Sequence, residues 1–463
     1  MNNMTTGQKL AFGVGAVGKD MVYALSANYV LYYYKDVIGL SGTFVGLILM
    51  IARIFDALND PFMGIIVAKT RTRWGRFRPW IFTGTVLNAF VLYALYAAPN
   101  LEGAGMMVYF SVAYILWGVT YTMMDIPYWS MIPAITDTPA DTENLSVVGR
   151  TAAGFGAAIM AMGTVLAVGA LGHGSERAGF RYVALIVSAI FVVTELICVA
   201  AVRENTAGKK LETTSVRAMF RALFRNDQAL VVVLSIVLIN SALYLTSNLI
   251  IYFFKYDVGG AGWRGSYTLF SSVGGAFQIV GMMLIYPLLR RKHTNTAIFR
   301  VALMMAMAGY VLILLLCFLG LAGNGALVCV PGVLVFAANG ILSVLTTVFL
   351  SNSVDYGELK TGQRDESVIF SLQTFVVKAA SGIAVFVTGI GLDLIGLVGN
   401  TEDEGVIAVQ TPETIRGLRL LMTIAPVVLL IAVFFFFGKR FTLTDEIVER
   451  NSRRLREEKH ELA

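Results

Sequence analysis

Hydrophobic positions in this chain run in long unbroken stretches rather than in one-sided stripes. About twelve of these runs are long enough to span a bilayer, at about 20 residues each. Their centres lie near Ala24, Ala52, Val86, Trp117, Ala158, Val187, Ile239, Val273, Met307, Val335, Ala380 and Val428. Polar residues are confined mostly to short connections. The longest polar stretch near the middle, Arg203 to Gln228, divides the runs six and six. The pattern predicts an all-α membrane protein. It has a first six-helix bundle over residues 1–202, a loop over 203–228, a second bundle over 229–440 and a tail over 441–463. Within the loop, Thr214 to Phe224 predicts a short amphipathic helix on the membrane surface, with Arg217 and Arg221 on one face. Two halves joined in this way suit a transporter with a binding site near the membrane midplane.

Composition points the same way. Of 463 residues, 57% are hydrophobic and only 14% are charged, against about a quarter charged in soluble domains. The bilayer is therefore the solvent and the first partner. Basic residues gather in alternate connections: Lys69, Arg71, Arg73, Arg76 and Arg78; Arg203, Lys209, Lys210, Arg217, Arg221 and Arg225; Arg290, Arg291 and Lys292; and the C-terminal tail. The bias of Lys and Arg toward cytoplasmic loops puts these on one side and predicts that both termini are cytoplasmic, in a plasma membrane. Two connections fit this rule badly. The one after the fourth run is acidic (Asp137, Asp141, Glu143), and the one after the fifth carries Arg177 and Arg181 on the outer side. The net charge of +6 follows from the topology, so no nucleic-acid partner is implied. Met1 to Gln8 is polar and lacks the basic start of a signal peptide, and the first apolar run is too long for a cleavable one. Cys198, Cys317 and Cys329 have neither metal-site nor disulfide spacing, and His173, His293 and His460 lie far apart. No cofactor and no enzymatic chemistry is indicated.

Ionisable residues inside the apolar runs carry the functional signal, because a charge in hydrocarbon costs several kcal/mol unless it is paired, solvated or coordinating an ion. The second run contains Arg53, Asp56, Asn59 and Asp60. Asp56 and Asp60 are four residues apart, so a helix places both carboxylates on one face, about 6 Å apart. Two such anions must share a proton, pair with a base or hold a cation. A structural ion pair between Arg53 and Asp56 is the plainer reading, but it leaves Asp60 unexplained. A hard alkali cation takes oxygen ligands, which Asp56, Asn59, Asp60 and Thr122 can supply. The residue types do not choose between sodium and a proton.

In the first run Lys19 and Asp20 are adjacent and point about 100° apart on a helix, so one can face a cavity while the other reaches a neighbour. Snorkelling of Lys19 to the surface is the alternative. In the fourth run Tyr121, Asp125 and Trp129 are spaced four apart and share a helical face. An aromatic face beside a carboxylate suits a sugar: the indole stacks on the apolar face of a pyranose, and the carboxylate accepts hydroxyl hydrogen bonds. The alternative is an interfacial aromatic belt with Asp125 in water. Arg150 opens the fifth run, either to pair with Asp20 or Asp125 or to anchor the helix at the cytoplasmic surface. Lys378 lies well inside an apolar run of the second half and either balances the acids of the first half or snorkels. Gln373 and Thr374, about one turn earlier, either bind hydroxyls or bond to a neighbouring helix.

These residues together resemble the glycoside–pentoside–hexuronide:cation symporter family, and within it the melibiose permeases. The resemblance covers nearly the whole chain. It includes Gly18-Lys19-Asp20, Asp56-Ala57-Leu58-Asn59-Asp60-Pro61, Arg73-Trp74-Gly75-Arg76-Phe77-Arg78-Pro79-Trp80, Tyr121-Thr122, Asp125-Ile126-Pro127, Asp355-Tyr356-Gly357-Glu358, and Gln373-Thr374 with Lys378. It implies a major-facilitator fold and alternating access. In melibiose permeases, residues matching Asp56, Asn59, Asp60 and Thr122 form the cation site, which the resemblance implies here for sodium. Those matching Lys19, Asp20, Asp125, Trp129, Arg150, Gln373, Thr374 and Lys378 surround the galactoside. The Arg73 to Trp80 loop and Asp355 to Glu366 resemble cytoplasmic gate elements. Ser343 is a departure: it stands where melibiose permeases carry a tryptophan lining the sugar pocket.

The expected function is cation-coupled uptake of a small-molecule glycoside, a galactoside such as melibiose, driven by an alkali cation, sodium or lithium, or by a proton. Two other readings stay open: a sodium-coupled carrier of lipid-like substrates, and a sugar sensor that does not transport.

Overall fold

The computed structural model describes residues 4–136, 139–202, 204, 221, 223–260, 262–361, 366–399 and 407–461. The surface helix expected at Thr214 to Phe224 lies almost wholly outside them. Among the described residues the structure is helical, apart from an isolated bridge between Thr72 and Gly75.

Twelve of its helices are of 18 residues or more. They are α1 (Thr6–Tyr32), α2 (Gly42–Lys69), α3 (Arg78–Tyr96), α4 (Ala104–Ser130), α5 (Pro139–Gly172), α6 (Glu176–Ala201), α7 (Asp227–Tyr252), α8 (Trp263–Val280), α9 (Asn295–Phe318), α10 (Gly325–Thr361), α11 (Glu366–Leu394) and α12 (Pro412–Arg440). Each of the twelve expected centres falls inside one of them. Eleven contain a segment long and apolar enough to cross a membrane. The exception is α1, whose Lys19 and Asp20 interrupt its apolar run at mid-length. The C-terminal tail is not merely polar: Asp445–Glu461 forms α13, which packs on α10 and pairs its Asp445 with Arg290 at 2.9 Å.

Local sequence sets the ends. Thr5 and Gln8 close α1 with a reciprocal capping box, and the side chains of Ser175, Asn226, Thr294 and Thr411 accept from the first turns of α6, α7, α9 and α12. Large apolar side chains such as Phe62, Phe90, Phe155 and Val330 point outward. Such exposure is costly in water and neutral in lipid, and the internal bonding of each helix satisfies the backbone there.

The chain forms two compact units: Met1–Thr213 with Leu397–Ala408, and Thr214–Gly396 with Val409–Ala463. In the first, α1 packs along α5 and α6, α3 along α4, and α2 along α4. Buried tyrosines lock the ends of these helices. Tyr33 Oη donates to the Tyr96 carbonyl at 2.7 Å, Tyr34 Oη to the Leu95 carbonyl at 2.6 Å, and Tyr96 Oη to the Leu25 carbonyl at 2.8 Å. In the second unit α7 packs on α11 and α12, and α10 on α8 and α9. Arg419 clamps Asp257 through two hydrogen bonds of 2.7 and 2.6 Å.

Close approach of α1 depends on glycine. A methyl group on Gly156 of α5 would collide with the Val17 carbonyl of α1, whereas one on Gly154 would meet open space. Overpacking of this kind costs about 1–3 kcal/mol. Gly156→Ala should therefore lower the thermal unfolding temperature of the detergent-purified protein. Gly154→Ala should not lower it, and equal melting of the two variants would show that α1 and α5 separate without loss.

Candidate functional site

The first unit gathers most of the candidate residues around one buried ammonium. Lys19 is 2% exposed, which removes the snorkelling reading. Its Nζ lies 2.7 Å from Asp125 Oδ1 and 3.0 Å from Asp20 Oδ2, and it donates to Tyr121 Oη at 3.2 Å. Adjacency in sequence therefore does not keep Lys19 and Asp20 apart, because the flexible lysine stem bends its charge back onto the neighbouring carboxylate. Desolvating an ammonium is repaid only by good geometry and further hydrogen bonds, and here two carboxylates and a phenol supply them.

Aromatic packing fixes where this happens. Tyr114, Trp117 and Tyr121 stack along α4 with ring centroids 5.6 and 5.3 Å apart, and Tyr23 of α1 lies against Tyr121 at 5.5 Å. One turn on, Trp129 Nε1 donates to Asp125 Oδ1 at 3.1 Å. The Lys19 ammonium sits 5.0 Å from the Trp129 ring, within range of a cation–π attraction. Asp125 is half-buried rather than fully in water, with its side chain 20% exposed. Arg150 is exposed and lies 4.3 Å over Trp129. Among the described residues it makes this stacking contact rather than an ion pair with Asp20 or Asp125, one of its two readings. Tyr121, Asp125, Trp129, Lys19, Asp20 and Arg150 thus form one continuous cluster.

The second group lies between α2 and α4. Asp56 is 8% exposed and turns its Oδ1 toward Gly118: a Cβ there would stand 2.6 Å from that oxygen. Gly118 is one turn before buried Thr122 on α4, so the missing side chain lets the carboxylate approach α4 near the Thr122 hydroxyl. Asn59 and Asp60 are half-buried on α2. Arg53, also buried, donates to Tyr23 Oη at 3.0 Å and stacks over that ring at 5.1 Å. Tyr23 in turn touches Tyr121, which links Arg53 of α2 to the Lys19 cluster.

Gln373, Thr374 and Lys378 lie on α11 in the second unit, with Gln373 and Lys378 half-buried and Thr374 exposed. Ser343, on α10, is exposed and donates to the Gly340 carbonyl at 2.8 Å. Of the expected gate elements, the Arg73 to Trp80 loop has a partner that the sequence did not identify. Glu204 accepts from the backbone N–H groups of Arg76, Phe77 and Arg78 at 2.6, 2.8 and 2.9 Å, at the positive end of α3. Gly75, with φ of 108°, turns the loop around that carboxylate. Residues 362–365 of the other gate lie outside the described residues. Its first part ends α10, where Tyr356 and Lys360 both donate to Asp227.

Two residues of the first unit were missed by reading the chain alone. Gly118 carries no chemical signal. Glu195 of α6 does: it is a lone acid in the apolar stretch from Ile190 to Ala201, which the cost of intramembrane charge marks out.

Comparison with known proteins identifies the family. The family model described as MFS/sugar transport protein matches residues 11–445. An isoprimeverose transporter of Lactiplantibacillus pentosus is 28% identical over 409 residues, covering 86% of this chain and 82% of the relative. A putative glycoside/cation symporter of Escherichia coli, YagG, is 26% identical over 455 residues, covering 98% and 96%. Among solved structures, the xylose transporter XylE of E. coli, in a partially occluded inward open conformation, aligns with a TM-score of 0.62 at 12% identity, covering 95% of this chain and 98% of that one. That likeness establishes the major-facilitator fold. The chain therefore belongs to the MFS/sugar transport protein family of multi-pass membrane transporters, and it is not an enzyme.

Proposed function

We propose that this chain is a cation-coupled glycoside symporter that takes up a galactoside such as melibiose by alternating access, with sodium as the coupling ion. The observation that carries the sugar assignment is the Lys19–Asp125–Trp129 arrangement. Asp125 Oδ1 is occupied by the Lys19 ammonium and the Trp129 indole. Its second oxygen is left to accept hydroxyl hydrogen bonds beside an aromatic surface. A pyranose has that same pairing of apolar face and hydroxyl edge. Relatives named as an isoprimeverose transporter and a glycoside/cation symporter support the same class of substrate. Asp20, Tyr121 and Arg150 complete the polar surroundings.

For the cation, Asp56, Asn59, Asp60 and Thr122 offer oxygen ligands of the kind that a hard alkali ion prefers. A bound cation would relieve repulsion between the two carboxylates. Through Arg53, Tyr23 and Tyr121 it would then steady the Lys19 cluster. Sugar and cation would strengthen each other's binding reciprocally, by roughly 1–3 kcal/mol. Carrying both in one cycle lets the cation gradient drive accumulation. The distribution of basic residues supports cytoplasmic termini in a plasma membrane.

Asp125→Ala should abolish measurable melibiose binding in calorimetric titration. Hydrogen bonds to a charged acceptor are worth roughly 1.5–3 kcal/mol each, so losing two weakens affinity at least a hundredfold. Unchanged affinity would show that Asp125 faces away from the sugar.

Asp60→Asn should remove sodium stimulation of melibiose uptake in membrane vesicles while sodium-independent binding partly survives. Normal stimulation in this variant would place the cation elsewhere.

A further inference from the structure

Glu195 is the most deeply buried acid near the sugar cluster, and nothing in the function proposed above uses it. It is 1% exposed, and among the described residues neither carboxyl oxygen has a hydrogen-bond partner. An ionised carboxylate so placed would bear a desolvation cost with no compensating bond. The chain keeps it there through close packing of α6 on α1. A Cβ on Gly15 would lie 3.0 Å from Cys198 Cβ, 3.2 Å from the Tyr128 ring and 3.4 Å from Glu195 Oε2. One turn further along α1 is Lys19.

We propose that Glu195 is a proton-binding site beside the sugar cluster, and that its proton is a co-ligand of the sugar. This rests on the glycoside reading for the identity of the co-ligand, but not for the proton itself. The charged and titratable groups around Glu195 come from several helices. Lys19 lies on α1 one turn beyond Gly15, which abuts Glu195, and it carries Asp20 of α1 and Asp125 of α4 as its partners. Tyr128 on α4 and Cys198 on α6 are in contact range through Gly15. From α3, Arg78 is engaged by the Val199 carbonyl at 2.8 Å. From α5, Arg150 lies over Trp129.

The charge count explains the linkage. With Glu195 neutral, Lys19 and Arg150 balance Asp20 and Asp125, and the ammonium stays on Asp125 in the arrangement that supports sugar binding. An ionised Glu195 adds a third anion and competes for Lys19, drawing it from Asp125. Protonation therefore favours sugar binding, and by reciprocity bound sugar favours the proton. Hydration of the site during the transport cycle would lower the cost of ionisation and release the proton.

Two measurements test this. In infrared spectra of the sugar-free protein at neutral pH, the parent should show a protonated carboxyl C=O stretch that is missing from Glu195→Gln and that titrates away in alkaline buffer. In Glu195→Asp, which keeps an acid if the glutamine variant does not fold, the band should be shifted but present. Identical carboxyl spectra in parent and variants would overturn the proton site. In parallel, melibiose affinity of the parent should fall with rising pH, by up to about tenfold per pH unit across the titration. That of Glu195→Gln should stay nearly constant. The same pH profile in both would overturn the linkage. If the band is present but melibiose binds neither protein at any pH, the proton site stands and the glycoside reading fails.

Discussion

The buried ammonium of Lys19 is the constraint around which the first unit is organised. A lysine at mid-length in a membrane helix is tolerable only where opposite charge and hydrogen-bond acceptors surround it. Asp20 and Asp125 supply the charge, and Tyr121 supplies the polar contact. That requirement holds α1 against α4 at a defined height. The aromatic column of Tyr114, Trp117 and Tyr121 fixes the same level from the other side. Glycines at Gly15, Gly18 and Gly156 let the backbones of α5 and α6 approach α1 closely enough to close the cluster.

The same constraint joins structure to transport. A carboxylate that must hold Lys19 is oriented by that bond, so a ligand binding there would meet groups organised in advance and less binding energy would go into ordering them. Arg53 and Tyr23 connect this cluster to α2, the helix that carries Asp56 and Asp60. A change of charge beside Arg53 therefore has a contiguous route to the Lys19 cluster, through one hydrogen bond and one ring contact. Such a route meets the physical condition for coupling two sites through packed and bonded groups.

At the loop ends, the partner of the Arg73 to Trp80 loop is a single acid at the end of α6. Glu204 takes three consecutive backbone N–H groups at the start of α3. It binds them as a helix N-terminus binds an anion. The loop that resembles a gate is thus held by a contact that one rearrangement can release as a whole.

The sequence by itself determined the twelve helices and the polar residues that cannot rest in lipid. Helix length and intramembrane charge are local properties, and a bilayer makes both expensive to violate. The spacing of Asp56 with Asp60, and of Tyr121, Asp125 and Trp129, is helical geometry and needed no structure. Only the tertiary structure decided the partners. Lys19 could have snorkelled, and Arg150 could have taken an aspartate. Packing instead gave Lys19 to Asp125 and placed Arg150 over an indole, while Arg53 gained a bond to Tyr23. Glu195 came to lie beside Gly15 because small residues let α6 pack against α1. Such pairings join residues on different helices, so they depend on how helices rotate and approach, which no local pattern in the chain encodes.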